Sequence, residues 1–222
     1  MNKAAVFAGV IALAGASSAM AQATLDLKVT EIWAGVAGSD HTKDWFELTN
    51  FSTTTSYSLA GYLVNDNSGG LGTAVAIAGV TSIAPGESLI VLMEGTTLDV
   101  TTFRNVWGLT GSPVQVGYAD GSGLGLGQSG DAVQLYSGGS LITQQAYPSY
   151  DETNYGSFVW NNDTNSWDNS RAVAGVWGAY NSVVTAGNAN APAIGSPGVT
   201  IPAPGALALA GVAGLAGVRR RR

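Results

Sequence analysis

The sequence predicts an all-β domain, an antiparallel sandwich, on three observations. Short runs of alternating or continuous apolar residues recur along the chain, with Gly-, Pro- or Asx-rich turns between them. No convincing helical period occurs between the two chain ends, and no internal repeat is evident. Glycine, at 31 of 222 residues, is about twice its usual share of roughly 7%, which suits a fold with many turns.

Taken in order, Leu25, Leu27 and Val29 alternate with Asp26, Lys28 and Thr30, the pattern of a half-buried strand. The phase breaks at Ile32, where a bulge or strand end is expected, because a one-residue shift sends side chains to the opposite face. Residues 36–43 read as a polar loop. Asp44 to Asn50 is the next strand, with Phe46 and Leu48 directed to the core and Trp45, Glu47 and Thr49 on the other face. A Ser/Thr-rich turn follows at 52–56, then a strand from Leu59 to Val64 and a flexible segment from Asn65 to Gly72. Pro85-Gly86 fits the central positions of a type II turn. Leu89 to Met93 reads as a fully buried strand, and Val114 to Tyr118 as another. Between them, Thr101 to Thr110 carries Phe103 and Trp107. After a glycine-dense loop at 121–130, Asp131 opens a strand with Val133 and Leu135 inward, and Gly138-Gly139 turns it into Leu141 to Gln145 as a hairpin. Residues 147–197, rich in Trp, Tyr, Asn and Asp, are expected to form one or two edge strands wrapped by long ordered loops.

Charge and cysteine content narrow the function classes. Setting aside Lys3 and Arg219 to Arg222 in the terminal segments, four basic residues face fifteen acidic ones, which leaves −11. Nucleic-acid affinity rests on cations displacing condensed counterions, so nucleic-acid binding is not expected. With no cysteine there is no disulfide framework, thiolate metal site or cysteine nucleophile.

The chain ends read as addresses. Met1-Asn2-Lys3, the apolar run 4–15 and Ala19-Met20-Ala21 have the form of a helical signal peptide over residues 1–21, with Ala19 and Ala21 marking the cleavage site. Ala21-Gln22-Ala23 is a second small-x-small match. At the other end, Pro202, Ala203 and Pro204 precede an apolar run, 205–218, and then Arg219, Arg220, Arg221 and Arg222. As a helix that run spans about 21 Å, short of the roughly 30 Å of a hydrocarbon core, so it makes a marginal anchor. The arginines would hold their end on the cytoplasmic side.

The candidate chemistry is sparse. His41 is the sole histidine, in Ser39-Asp40-His41, and with no nucleophile motif beside it a solvated loop histidine is the preferred reading. Asp44 and Glu47 fall on opposite strand faces. Glu31 and Glu47, on strands that can be neighbours, could converge as a hydrolase pair, although a solvated or backbone-bonded structural role is preferred. Asp66-Asn67-Ser68, Asp120-Gly121-Ser122 and Asn161 to Asn165 offer oxygens to calcium in loops without EF-hand spacing; capping their own turns is the preferred reading. Trp160, Trp167, Trp177 and Tyr180 could form a sugar or protein platform, but covering a second hydrophobic face is preferred.

Six stretches in order resemble the lamin-tail domain, an immunoglobulin-like β-sandwich found in nuclear lamins and in many exported bacterial proteins. They are Val29-Thr30-Glu31-Ile32, Asp44 to Asn50, Leu59-Ala60-Gly61-Tyr62, Ile83 to Leu89, Ser129 to Leu135 and Gly195-Ser196-Pro197-Gly198. The departures are the stretched segment 65–82 and the long region after Tyr147. The resemblance transfers no catalytic, cofactor-binding or metal-binding residues and implies a surface or envelope module. The C-terminal segment resembles the PEP-CTERM sorting signal recognised by exosortase enzymes, with Ala203 where that family usually has glutamate; a plain tail anchor is the alternative.

The expectation is therefore a signal peptide at 1–21, a sandwich domain at 24–200 and a sorting or anchor segment at 201–222. The function expected is a non-enzymatic structural or adhesive role in the bacterial cell envelope or extracellular matrix, without cofactors. Its partners would be the export machinery, an exosortase-type processing enzyme, the membrane through the C-terminus, and an envelope polysaccharide or matrix protein. A calcium-dependent carbohydrate- or matrix-binding module is the alternative, and a hydrolase using Glu31 and Glu47 the third reading.

Overall fold

A computed structural model describes residues 26–36, 42–151, 153–185 and 191–199. The cleavage residues Ala19 and Ala21, His41, and the sorting residues Pro202 to Pro204 and Arg219 to Arg222 lie outside the described residues, and so do the two terminal segments. Among the described residues no helix is long and apolar enough to cross a membrane.

The strands are β1 (Leu27–Trp33), β2 (Trp45–Asn50), β3 (Tyr57–Ser58), β4 (Leu63–Asn65), β5 (Val75–Ala78), β6 (Ser82–Ile83), β7 (Ser88–Met93), β8 (Val116–Ala119), β9 (Gly130–Ser137), β10 (Ser140–Pro148), β11 (Phe158–Val159), β12 (Tyr180–Thr185) and β13 (Pro192–Gly195). Nine of them hydrogen-bond in the order β10-β9-β4-β5-β8-β7-β2-β1-β11. The sheet folds over at β5: Val75 and Ala76 pair with β4, whereas Ile77 and Ala78 pair with β8. A strand that changes sheets in this way makes the corner of a β-sandwich. The inner core lies between the two layers, with Leu27, Val29, Ile32, Phe46, Leu48, Leu89 and Val91 from one and Val64, Val133, Leu135 and Tyr147 from the other. Phe46, Leu48, Val133 and Leu135 are thus where the alternation puts them.

The principal correction is a helix, α1 (Thr97–Val106), between β7 and β8. Its sequence is poor in strong helix formers, with Val100 and three threonines, which hid it. Two features outweigh propensity. Asp99 accepts hydrogen bonds from the Thr96 N–H (2.8 Å) and hydroxyl (2.7 Å), holding the N-terminus. At the other end Phe103, Val106 and the following Trp107 are buried against Trp33, Trp45, Ile90 and Leu92. Arg104 ties the helix to the next loop by donating to the carbonyls of Leu109, Ser112 and Val114. The helix also accounts for a parallel pair, β7 with β8, in an otherwise antiparallel sheet: parallel neighbours need a crossover, usually helical.

The helix and the ribbon β12–β13 cover the outer face of β2 and β7, which explains why every residue of both strands is buried. Trp45 meets Phe103 and Trp107 edge-on, with centroids 5.6 Å away in each case.

Two smaller expectations are also corrected. The strand expected at 59–64 is mostly a turn between β3 and β4, with only Leu63 and Val64 in β4, because Gly61 adopts φ +78° and Tyr62 N–H turns back to the Leu59 carbonyl. The segment expected to be flexible after Asn65 is a tied turn, in which the buried Asn65 amide donates to Gly70 O and Thr73 Oγ1. The strands β5 and β6 follow it within a stretch that offered no clear alternation. The turn at Pro85-Gly86 is as expected, with Gly86 at φ +71° and Glu87 N–H donating to Ala84 O.

Candidate functional site

The bulge in β1 lies between Val29 and Glu31, earlier than the break at Ile32 suggested. It sets two consecutive residues, Thr30 and Glu31, against one residue of β2. Both side chains therefore reach the outer layer, while Ile32 returns to the inner core and Trp33 to the outer one. Glu31 comes to lie directly opposite Glu47 on β2. The two carboxyls are sealed, at 0% and 1% exposure.

Hydrogen-bond donors converge on them from distant parts of the chain. Glu31 Oε1 accepts from the Ser157 hydroxyl and from Ser196 N–H (2.8 Å), and Oε2 from the Ser196 hydroxyl (2.9 Å). Glu47 Oε1 accepts from the Thr30 hydroxyl (2.7 Å), and Oε2 from Gly198 N–H (2.8 Å). The Thr30 hydroxyl shares a further hydrogen bond with that of Thr49, and Thr49 with Ser88, carrying the network across β1, β2 and β7. The acids thus fasten the Gly195-Ser196-Pro197-Gly198 turn and β11 to the first two strands.

Loss of water on burial pushes both carboxyls far above the ordinary carboxylate range. For Glu31 the three donors oppose that rise in part. For Glu47 the charge of Glu31 adds to it. Tyr180, packed on Trp107 at 5.8 Å, also has its phenol pushed up, by burial first and then by the two acids. All four carboxyl oxygens are engaged. The hydrolase reading gains no support from the geometry: the pair converges, as two adjacent strands allow, yet both carboxyls are buried and their oxygens already hydrogen-bonded.

The other candidates are separated from this pair. Asp44 turns away from Glu47, accepting Leu126 N–H at 2.8 Å and closing the glycine-rich loop. Asn50 joins two turns: its side-chain amide donates to Thr55 O and Ala84 O, and its oxygen accepts Ser52 N–H. In two of the calcium candidates an acceptor is occupied locally, Asp66 Oδ1 by Ser68 N–H and Asn161 Oδ1 by the N–H groups of Asp163 and Thr164, while the Asn162 side-chain oxygen is buried without a hydrogen-bond partner. Among the described residues no group of three or more His, Asp or Glu side chains is placed to hold a metal. Asp120 lines an open hollow with Lys43, Glu94 and Ser122. The aromatics cover apolar surface: Trp160 is buried beside Phe51 (5.3 Å), Trp167 packs on the inner core, Trp177 on Val159 and Ala172, and Tyr180 on the outer core.

Sequence reasoning missed Ser157, Ser196 and Gly198 as the donors to the acids. A signal was available in Thr30, Glu31, Glu47, Thr49 and Ser88, a polar set on strands whose other residues are apolar except Lys28 and Asn50. Buried polar groups require partners, so such a set demands donors from elsewhere in the chain.

A family model, the Lamin Tail Domain, matches residues 20–149, more than half of the chain. The match includes β1, β2 and both acids, whereas Ser157 and the 195–198 turn follow it. No curated protein and no solved structure matches the chain. The matched residues and the immunoglobulin-like sandwich agree, and the chain belongs to the lamin tail domain family.

Proposed function

We propose that this chain is a bacterial, exported, surface-displayed module without enzymatic activity, serving a structural or adhesive role in the cell envelope or extracellular matrix. The observation that carries the reading is the sealed acid pair. The acid pair considered for hydrolytic chemistry, Glu31 and Glu47, has all its oxygens bound to main-chain and hydroxyl donors that hold the fold together. Membership of a family built on an immunoglobulin-like scaffold supports it further.

Export through the signal segment ending at Ala21, and processing near Pro202-Ala203-Pro204 by an exosortase-type enzyme, complete the proposal. In it, the C-terminal apolar segment holds the protein at the membrane until it is cut, and an envelope polysaccharide or matrix protein is the partner. Intact mass spectrometry of the native protein from each cell fraction is the test. A mature mass beginning after Ala21 and ending near Pro204 in the surface or released fraction is expected. A chain retaining Arg222 in the membrane fraction contradicts processing and leaves a stable tail anchor.

A further inference from the structure

Among the described residues, the strand β10 is the open edge of the sheet. Its pairing in the described residues is with β9 alone, whereas the opposite edge, β11, is closed by a bridge from Phe158 to Arg171 and by Val159 N–H donating to Ser170 O.

Register fixes which main-chain groups face outward. Ile77 N–H donates to Tyr62 O, so in the β4–β5 ladder Val64 faces β5 and Leu63 and Asn65 face β9. Their partners Tyr136 and Gln134 face β4. Gln144 and Ala146, opposite Gln134 and Ala132, therefore direct their N–H and C=O groups away from β9. Two side-chain contacts agree: Ala132 N–H is taken by Asp131 Oδ1, and the Ala146 carbonyl accepts from the Gln145 side-chain amide at 3.1 Å, in place of a neighbouring strand.

We propose that this edge pairs with the same edge of a second copy, antiparallel about a two-fold axis through Gln145. Gln144 of each copy then faces Ala146 of the other, and each of these residues both donates and accepts a main-chain hydrogen bond. Charge selects the occupant. From Ala132 to Tyr150 the chain carries no ionisable acid or base other than its tyrosines, so two copies of this edge meet without the repulsion that their remaining acidic surface imposes. The ladder is short and closed: Pro148 has no N–H to offer, and a bulge between Leu141 and Thr143 breaks the repeat at the other end. An edge used once by each partner gives a dimer rather than a fibre.

Hydrogen exchange of the full chain, in excess detergent micelles that keep the apolar termini of separate molecules apart, is the test. The Gln144 and Ala146 amides are expected to exchange at least about tenfold more slowly at high than at low protein concentration, because they exchange only from the unpaired fraction. The Gln145 amide, which faces β9, serves as the concentration-independent control. Ala146→Pro removes an outward N–H without touching the β9 ladder, and is expected to abolish both the association seen by sedimentation and the protection of Gln144. Fast exchange at Gln144 and Ala146 at every concentration overturns the proposal, as does association that survives Ala146→Pro. Should that variant fail to fold, exchange in the parent chain decides.

Discussion

Glu31 and Glu47 stand opposite each other on β1 and β2, both sealed from solvent, and hold successive parts of one turn: Glu31 binds Ser196 and Glu47 binds Gly198. A chain segment some 150 residues away in sequence is thus fastened to the first two strands by two acids.

Truncating either acid should loosen the C-terminal turn. Glu31→Ala leaves the buried Ser157 hydroxyl and the half-buried Ser196 N–H without an acceptor, at about 1–3 kcal/mol for each orphaned group. The expected loss is about 3 kcal/mol or more, a fall in Tm on the order of 6–12 °C for a domain of this size. Glu47→Gln should be much milder. The Thr30 hydroxyl can reverse to accept from the new amide while Gly198 N–H keeps its oxygen. Thermal melts of the two variants at pH 5 check the contrast.

Stability should fall as pH rises through neutrality. Both acids have folded-state pKa values raised above the ordinary 4.5, Glu31 to about 7 and Glu47 to about 8. The folded chain therefore binds more protons than the unfolded chain between pH 4.5 and 8, and linkage makes stability decrease across that window. The contribution is fully present near pH 4.5 and has been lost above pH 8. Melting against pH should show the highest Tm at the acid end of the window and a plateau beyond pH 8, with a shallower slope in Glu47→Gln.

Gly195 is required by the same site. A Cβ added there would sit 2.6 Å from Glu31 Oε1, closer than real Cβ atoms come, and 3.0 Å from the Trp107 ring, a tight contact. Gly195→Ala should displace β13 from the acid pair and lower Tm by several degrees. Gly111→Ser, at a position where an added Cβ meets nothing, should cost only the strain of a positive φ.

Asn50→Ala tests the edge opposite the acids. The side chain donates to two carbonyls in different turns and accepts one N–H, at about 0.5–1.5 kcal/mol per bond. A loss of about 2–4 kcal/mol is expected, together with faster hydrogen exchange at Ser52, whose amide loses its acceptor.

These sites also show what a sequence can disclose. Period 2 was enough to place Phe46, Leu48, Val133 and Leu135, because each sits on a strand with one face against the inner core. It was ambiguous at β7, whose Leu89 to Met93 run is apolar on both faces because two layers cover it. The helix α1 was illegible, since Val100 and its threonines carry little helix propensity and tertiary burial of Phe103, Val106 and Trp107 supplies the difference. The acid pair was half legible. Adjacent strands suggested that Glu31 and Glu47 could meet, but a bulge at Thr30 was needed to aim them together. Their donors, Ser157, Ser196 and Gly198, lie more than a hundred residues downstream, where no local pattern points back to β1.

The role of Glu31 and Glu47 is structural: buried, they hold the Gly195–Gly198 turn. It is tested most directly by following the glutamate side-chain carboxyl carbons and the Ser196 and Gly198 amides by NMR through a pH titration. Two carboxyls should titrate well above 4.5, with the Ser196 and Gly198 amides shifting in the same steps. Titration of both acids near 4.5, with those amides unmoved, would contradict the account.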